Sequence, residues 1–455
     1  MNGKKKWAGI ALAFALCLIL GSSISLRAQA PAAGQETSKP PAYTQAEYNA
    51  YQACAGEASP QAKIKCLDDF VSKYPNSALL SFVYPLYTQS YGALKNYAKV
   101  IEYADKLAAL GDKVEPSVRF NGYYTHAAAF NAILTDPTQK TLAADPNVAK
   151  AAQATATVGL EALAQVKKPD NVTDDAWTKQ VTQFKVFLNG VAAQAAMVAK
   201  DCAAAVNSYK AVLALNPDDA ISTYQLGRAY LCTNPAQQMD AFWYIARAVV
   251  SKNATQAQSA QVKKYLKSLM ANYQGGNVCD SLIDGEMNEL LQLAASSPDR
   301  PSSYSLPSAA DISAVQKDMT IASVFTDLKA GGDKAKLTWL AACGLEFPEV
   351  PGKVIEVAPG DPLVLKIAFV TSDAEFDAAT TPNMDVKAVG QPEAARVEKN
   401  SAVHFTGTLL SYDPDPFFLH WDKAKVKEED IPKEKAAPKK PVRRPPAKKP
   451  GTRPN

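Results

Sequence analysis

Residues 186–249 read VFLNGVAAQAAMVAKDCAAAVNSYKAVLALNPDDAISTYQLGRAYLCTNPAQQMDAFWYIARAV, and a helical hairpin can be read in them almost twice. Asp201 opens a helix in which Ala205, Tyr209 and Leu213 follow at four-residue steps, the spacing that lines up one helix face. Asn216-Pro217-Asp218-Asp219 closes it, because proline cannot continue a helix. Ala220 starts the next helix, with Tyr224, Leu226, Gly227 and Tyr230, and Ala241, Ile245 and Ala248 mark the helix that pairs with it.

This spacing resembles the tetratricopeptide repeat, a unit of about 34 residues whose two helices pack only when neighbouring units stack on them. Counted from Val186, the small residue of position 20 is Ala205, the aromatic of position 24 is Tyr209, and Pro217 falls at position 32. Asn189, Ala192 and Ala193 stand where Trp, Leu and Gly are usual, whereas the following unit has Leu226, Gly227 and Tyr230 at positions 7, 8 and 11. Weaker echoes occur at Gln61–Pro75, Ser77–Leu110, Phe120–Leu134 and Asn147–Val166, with Thr173 and Thr255 as caps of two further helices. The resemblance implies a right-handed helical array over residues 44–296 with a concave groove for a protein or peptide partner, and no chemistry of its own. Groove candidates are Phe187, Gln194 and Met197 in one unit and Ile221, Tyr224, Gln225 and Arg228 in the next. Tyrosine and arginine are frequent anchors in such surfaces.

The chain begins with Lys4-Lys5-Lys6, an apolar run from Trp7 to Leu20, and small residues through Ala30. That is the layout of a secretory signal peptide, expected over 1–30 and followed by a flexible linker over 31–43. Export to a bacterial periplasm or cell envelope is expected, with secretion as the alternative. Without Cys17 of the leader, six cysteines remain, and an even number in an exported chain favours disulfides over metal or catalysis. The repeat brings the start of one helix, at Cys202, beside the end of the next, at Cys232. Cys54 and Cys66 straddle the Gly56–Pro60 turn, and Cys279 with Cys343 follows by elimination.

Composition changes near the Ser296–Ser303 stretch, and residues 297–350 read as a linker with connecting helices, one of them spanning Ala309–Lys329. From Pro351 the apolar period becomes two. Val354 and Val357, then Leu363–Phe369, Asp385–Val389, Ala402–Tyr412 and Phe417–Trp421 with Ala424–Val426 predict five or six short strands. A glycine in mid-strand, Gly407, suits the bend of a small barrel over 351–431. This module is similar to the OB fold, which implies an outer face able to hold an oligosaccharide, a nucleic acid strand or a peptide. Phe417, Phe418, His420 and Trp421 are the candidates for a stacking platform there, although alternation favours Trp421 and Phe417 filling the barrel.

From residue 432 onward the tail is rich in Pro and carries nine Lys and Arg against Glu434. A disordered, basic tail over 432–455 suits contact with an anionic envelope surface.

The chain has three histidines and lacks G-x-S-x-G, H-E-x-x-H and nucleotide-loop patterns. His126 reads as a helix residue, and His404 with His420 lacks a third ligand at metal spacing. The expectation is a non-enzymatic α+β multidomain scaffold without metal, cofactor or nucleic acid: a helical array, a small β-barrel and a basic tail. A carbohydrate- or lipid-binding protein using the β-module is the alternative.

Overall fold

The computed structural model of the chain describes residues 42–433. The leader expected at 1–30, nearly all of the 31–43 linker and the tail beyond Lys433 lie outside the described residues. The described chain divides into two compact units: residues up to Leu266 with Asn288–Ser305, and Lys267–Met287 with residues from Leu306 onward.

The first unit is helical. Its helices are α1 (Gln45–Gly56), α2 (Pro60–Lys73), α3 (Leu80–Ala93), α4 (Tyr97–Ala108), α5 (Pro116–Thr135), α6 (Lys140–Ala143) and α7 (Pro146–Leu163). They continue with α8 (Asp174–Val198), α9 (Cys202–Leu215), α10 (Ala220–Cys232) and α11 (Gln238–Val249). The unit boundary falls inside α12 (Gln256–Tyr273) and α13 (Asp280–Ser296).

Apart from the one-turn α6, each helix from α1 to α11 packs on the next in the chain. Short polar side chains start many of them. The Asn96 side chain accepts from the Lys99 N–H, that of Thr173 from the Ala176 N–H, and that of Asp201 from the Ala204 N–H; Asp219 takes both the Ile221 and Ser222 N–H groups. Each cap satisfies a backbone donor that the helix leaves open, worth about 1 kcal/mol. Helix α8 is 25 residues long: it starts at the cap expected at Thr173 and runs unbroken through Val186, the position from which the repeat is counted. Its middle packs Phe184 and Phe187 against Phe120 and Tyr124 of α5.

In the quoted stretch α10 meets α11 closely at Gly227. A Cβ there would stand 2.6 Å from Ile245 Cγ1 and 2.9 Å from the Ala241 carbonyl oxygen of α11. Only glycine lets these two backbones meet, and Ala241, Ile245 and Leu226 are fully buried around the contact.

The second unit contains α14 (Ala309–Lys317), α15 (Ile321–Ala330), α16 (Gly332–Ala342) and the β-module. The single helix expected over Ala309–Lys329 is two, because Thr320 starts a new one. Its side chain accepts from the Ser323 N–H while Ser323 Oγ accepts from the Thr320 N–H. The strands are β1 (Glu346–Ala358), β2 (Leu363–Phe369), β3 (Met384–Ala388), β4 (Ala402–Pro414) and β5 (Phe417–Val426), with α17 (Asp373–Ala378) between β2 and β3. The first strand thus begins before the expected boundary at 351, and the last two strand segments are one.

The strands close into a barrel in the order β1-β2-β3-β5-β4. Strands β3 and β5 run parallel, and all other pairs are antiparallel. Alternation of apolar residues fills the interior with Val354, Leu365, Ile367, Val386, Phe405, Leu409 and Trp421, and Val324 and Leu328 of α15 join the same core. At Gly407 a Cβ would stand 3.1 Å from that of Ala424, and the β4–β5 register shifts there between Thr406 and Thr408. The glycine expected to bend the barrel therefore sits at a bulge.

Three disulfides, Cys54–Cys66, Cys202–Cys232 and Cys279–Cys343, match the pairings read from the sequence. They are the bonds of a chain that matures in an oxidising environment, as an exported protein does.

Candidate binding surfaces

In the helical unit, packing sorts the seven groove candidates. The Tyr224 residue is 8% exposed and its ring meets Tyr265 edge-on at 6.1 Å. Burial raises the pKa of its hydroxyl above the usual tyrosine value, and the Arg228 charge opposes the rise. Phe187 lies 4.9 Å from the Tyr124 ring, and Met197 packs on the core formed by Val206, Tyr209 and Leu226. These three side chains serve the interior. Gln194 is half-buried.

Solvent is left with a small polar-apolar patch on α10. Ile221 is 46% exposed, and Arg228 is exposed with its guanidinium donating to Gln225 Oε1 at 3.1 Å. The order Ile221, Gln225, Arg228 follows from steps of four and three along one helix face. Arg228 also lies 6.0 Å over the Tyr224 ring, so the buried tyrosine supports the arginine rather than presenting itself.

In the second unit, Trp421 is 1% exposed and meets Phe347 and Phe405 edge-on inside the barrel. Phe417 is half-buried against Phe325 and Tyr412. The interior role weighed for Trp421 is the one found, and the four-residue platform reduces to Phe418 and His420, whose rings are 5.3 Å apart on the outer face.

His420 engages two carboxylates that sequence reading had not joined to it. Its Nδ1 lies 2.9 Å from Asp385 Oδ1 of β3, and its Nε2 lies 3.1 Å from Asp413 Oδ2 of β4. Partial burial pulls the imidazole pKa down, but hydrogen bonds and charge from Asp413 and Asp385 outweigh it, leaving the group above its ordinary value. The signal available for Asp385 and His420 was their outward place in strands that alternate apolar and polar.

His404 is not brought to His420. Its Nδ1 and backbone nitrogen face Asp430 Oδ2, at 3.1 and 2.7 Å. His126 is buried in α5 with Nδ1 2.6 Å from Asp105 Oδ1, a packed helix residue. Among the described residues no group of three or more His, Cys, Asp or Glu is placed to hold a metal ion.

Two open clefts of about 430 Å³ adjoin at Thr371. Glu375, which lines the first, accepts from the Thr371 N–H and hydroxyl at 2.7 and 2.9 Å, bonds that hold its pKa below the usual range. His404, on the other cleft, is engaged by Asp430. Glu375 and His404 are thus engaged by the chain's own partners.

Against models of known families the chain finds no match, and it finds none among curated proteins.

Proposed function

We propose that the chain is an exported, disulfide-stapled scaffold of the bacterial cell envelope whose tetratricopeptide-like helical array binds a polypeptide partner. The observation that carries the reading is the α10 patch, where Ile221 stands in solvent two turns before the exposed Arg228 on a helix held in place by the Gly227 contact and the Cys202–Cys232 bond. Arginine is among the residues enriched at binding hot spots, and Ile221 adds exposed apolar area two turns away on the same face. The basic tail would add contact with an anionic surface, weakening as salt screens it.

A second reading assigns recognition of an envelope carbohydrate or lipid to the β-module. A closed five-strand barrel in the order β1-β2-β3-β5-β4 supports an OB-like identity for it, and the outward pair Phe418–His420 supplies a stacking face.

Affinity capture from the cell's own envelope fraction, after cross-linking in place, separates the two. The double variant Ile221→Asp, Arg228→Asp is expected to lose a defined set of polypeptides that Phe418→Ala retains. Polypeptide capture unchanged in the double variant would reject the array as the binding part. Glycan or lipid recovered by the double variant and lost from Phe418→Ala would favour the second reading.

A further inference from the structure

Four charged or ionisable side chains occupy matching register positions around one level of the barrel's outer face. Glu356 of β1 pairs with Lys366 of β2, Lys366 with Asp385 of β3, and Asp385 with His420 of β5. On the remaining side His420 pairs with Ser411 of β4, whose same-face neighbour is Asp413. The signs alternate along the belt, and three links are close: 3.4 Å from Lys366 Nζ to Glu356, and 2.9 and 3.1 Å from the two His420 nitrogens to Asp385 and Asp413.

The geometry at His420 dictates a charge state. A neutral imidazole has one N–H and one bare nitrogen, and the bare nitrogen would turn a lone pair toward a carboxylate. Both contacts hold together only with imidazolium. The two aspartates are not equivalent. The Asp385 side chain is 27% exposed and has Lys366 opposite it on β2, whereas that of Asp413 is 62% exposed, two residues before the Asp415-Pro416 turn. Once the proton is lost, the remaining N–H stays with the shorter, more sheltered Asp385 contact, and Asp413 turns to water. Ser411 across the β4–β5 pair and Phe418 on its own strand carry no charge, and Asp422, two residues along the same strand, is the further carboxylate on this face.

We infer that His420 is a pH-operated latch, tying the β4–β5 turn to β3 when protonated and releasing it through Asp413 when neutral. The sign follows from the raised pKa of the folded state. The latch is complete below the unfolded value, about 6.5, and is lost as pH rises through the higher folded value. The Phe418 face beside it is therefore more ordered in a mildly acidic compartment than in an alkaline one.

Amide hydrogen exchange of the full chain at pH 5.5 and 8.5, corrected for the intrinsic pH dependence, tests this over residues 411–418. Protection in the native sequence should fall between the two pH values as His420 loses its proton. His420→Gln should show low protection at both, and Asp413→Asn should remove the pH dependence. His404→Gln, whose partner is Asp430, should leave the dependence intact. Protection that does not change with pH in the native sequence, or a dependence that survives Asp413→Asn, overturns the latch. Should His420→Gln fail to fold, Asp413→Asn decides alone, because its exposed side chain carries no core packing.

Discussion

The helical unit and the barrel are held together by contacts of different reach. In the helical unit α3 packs on α4 and α10 on α11, so each element meets its neighbour in the chain. In the barrel, Val350 of β1 lies opposite Phe405 of β4, and Val386 of β3 opposite Trp421 of β5. The first arrangement is built turn by turn, and each cap or small-residue contact stabilises one local step. The second exists only when distant strands find each other, and its core is shared by every strand. Local damage should therefore stay local in the array and spread through the barrel.

The sharpest break is expected at Trp421, which contacts Phe347 and Phe405 at the barrel centre. Trp421→Ala should destabilise the barrel by about 3–5 kcal/mol, with protection lost from all five strands in hydrogen exchange. Disulfide removal comes next and should scale with the loop closed. On chain entropy alone the Cys279–Cys343 bond, separated by 64 positions, contributes about 4 kcal/mol, against about 3 kcal/mol for Cys54–Cys66 with 12. Denaturation of the paired Cys→Ala variants checks that order. Gly227→Ala should cost about 1–3 kcal/mol, because the added methyl meets Ile245 and the Ala241 carbonyl. Exchange should quicken in α10 and α11 while the barrel strands keep their protection, and loosened barrel strands would contradict the contrast. Smallest of all, Ile221→Asp with Arg228→Asp should shift stability by no more than about 0.5 kcal/mol per site, so that lost binding is not lost folding.

Much of the local architecture was legible in the sequence for the same reason that it is local. Asp201 and Thr173 announce helix starts through their own side chains, and the spacing of Cys202 and Cys232 places two helix ends together. The outward and inward alternation in β2 and β5 gave the barrel's strands. Finer points failed where a partner had to be known. Tyr224 falls at a groove position by spacing, yet Tyr265 of another helix covers its ring. The break at Thr320 is hidden by apolar spacing that continues across it, while its short polar cap marks a new start. The belt from Glu356 to Asp413 depends on cross-strand register, which strand sequences one by one do not contain.

The claim that the array does the binding is tested most directly by photo-cross-linking in the native envelope, with a photoreactive residue placed at position 221 in one variant and at position 418 in another. The account predicts a discrete polypeptide adduct from position 221 and none from position 418. An adduct of glycan or lipid from position 418, with position 221 silent, would contradict it.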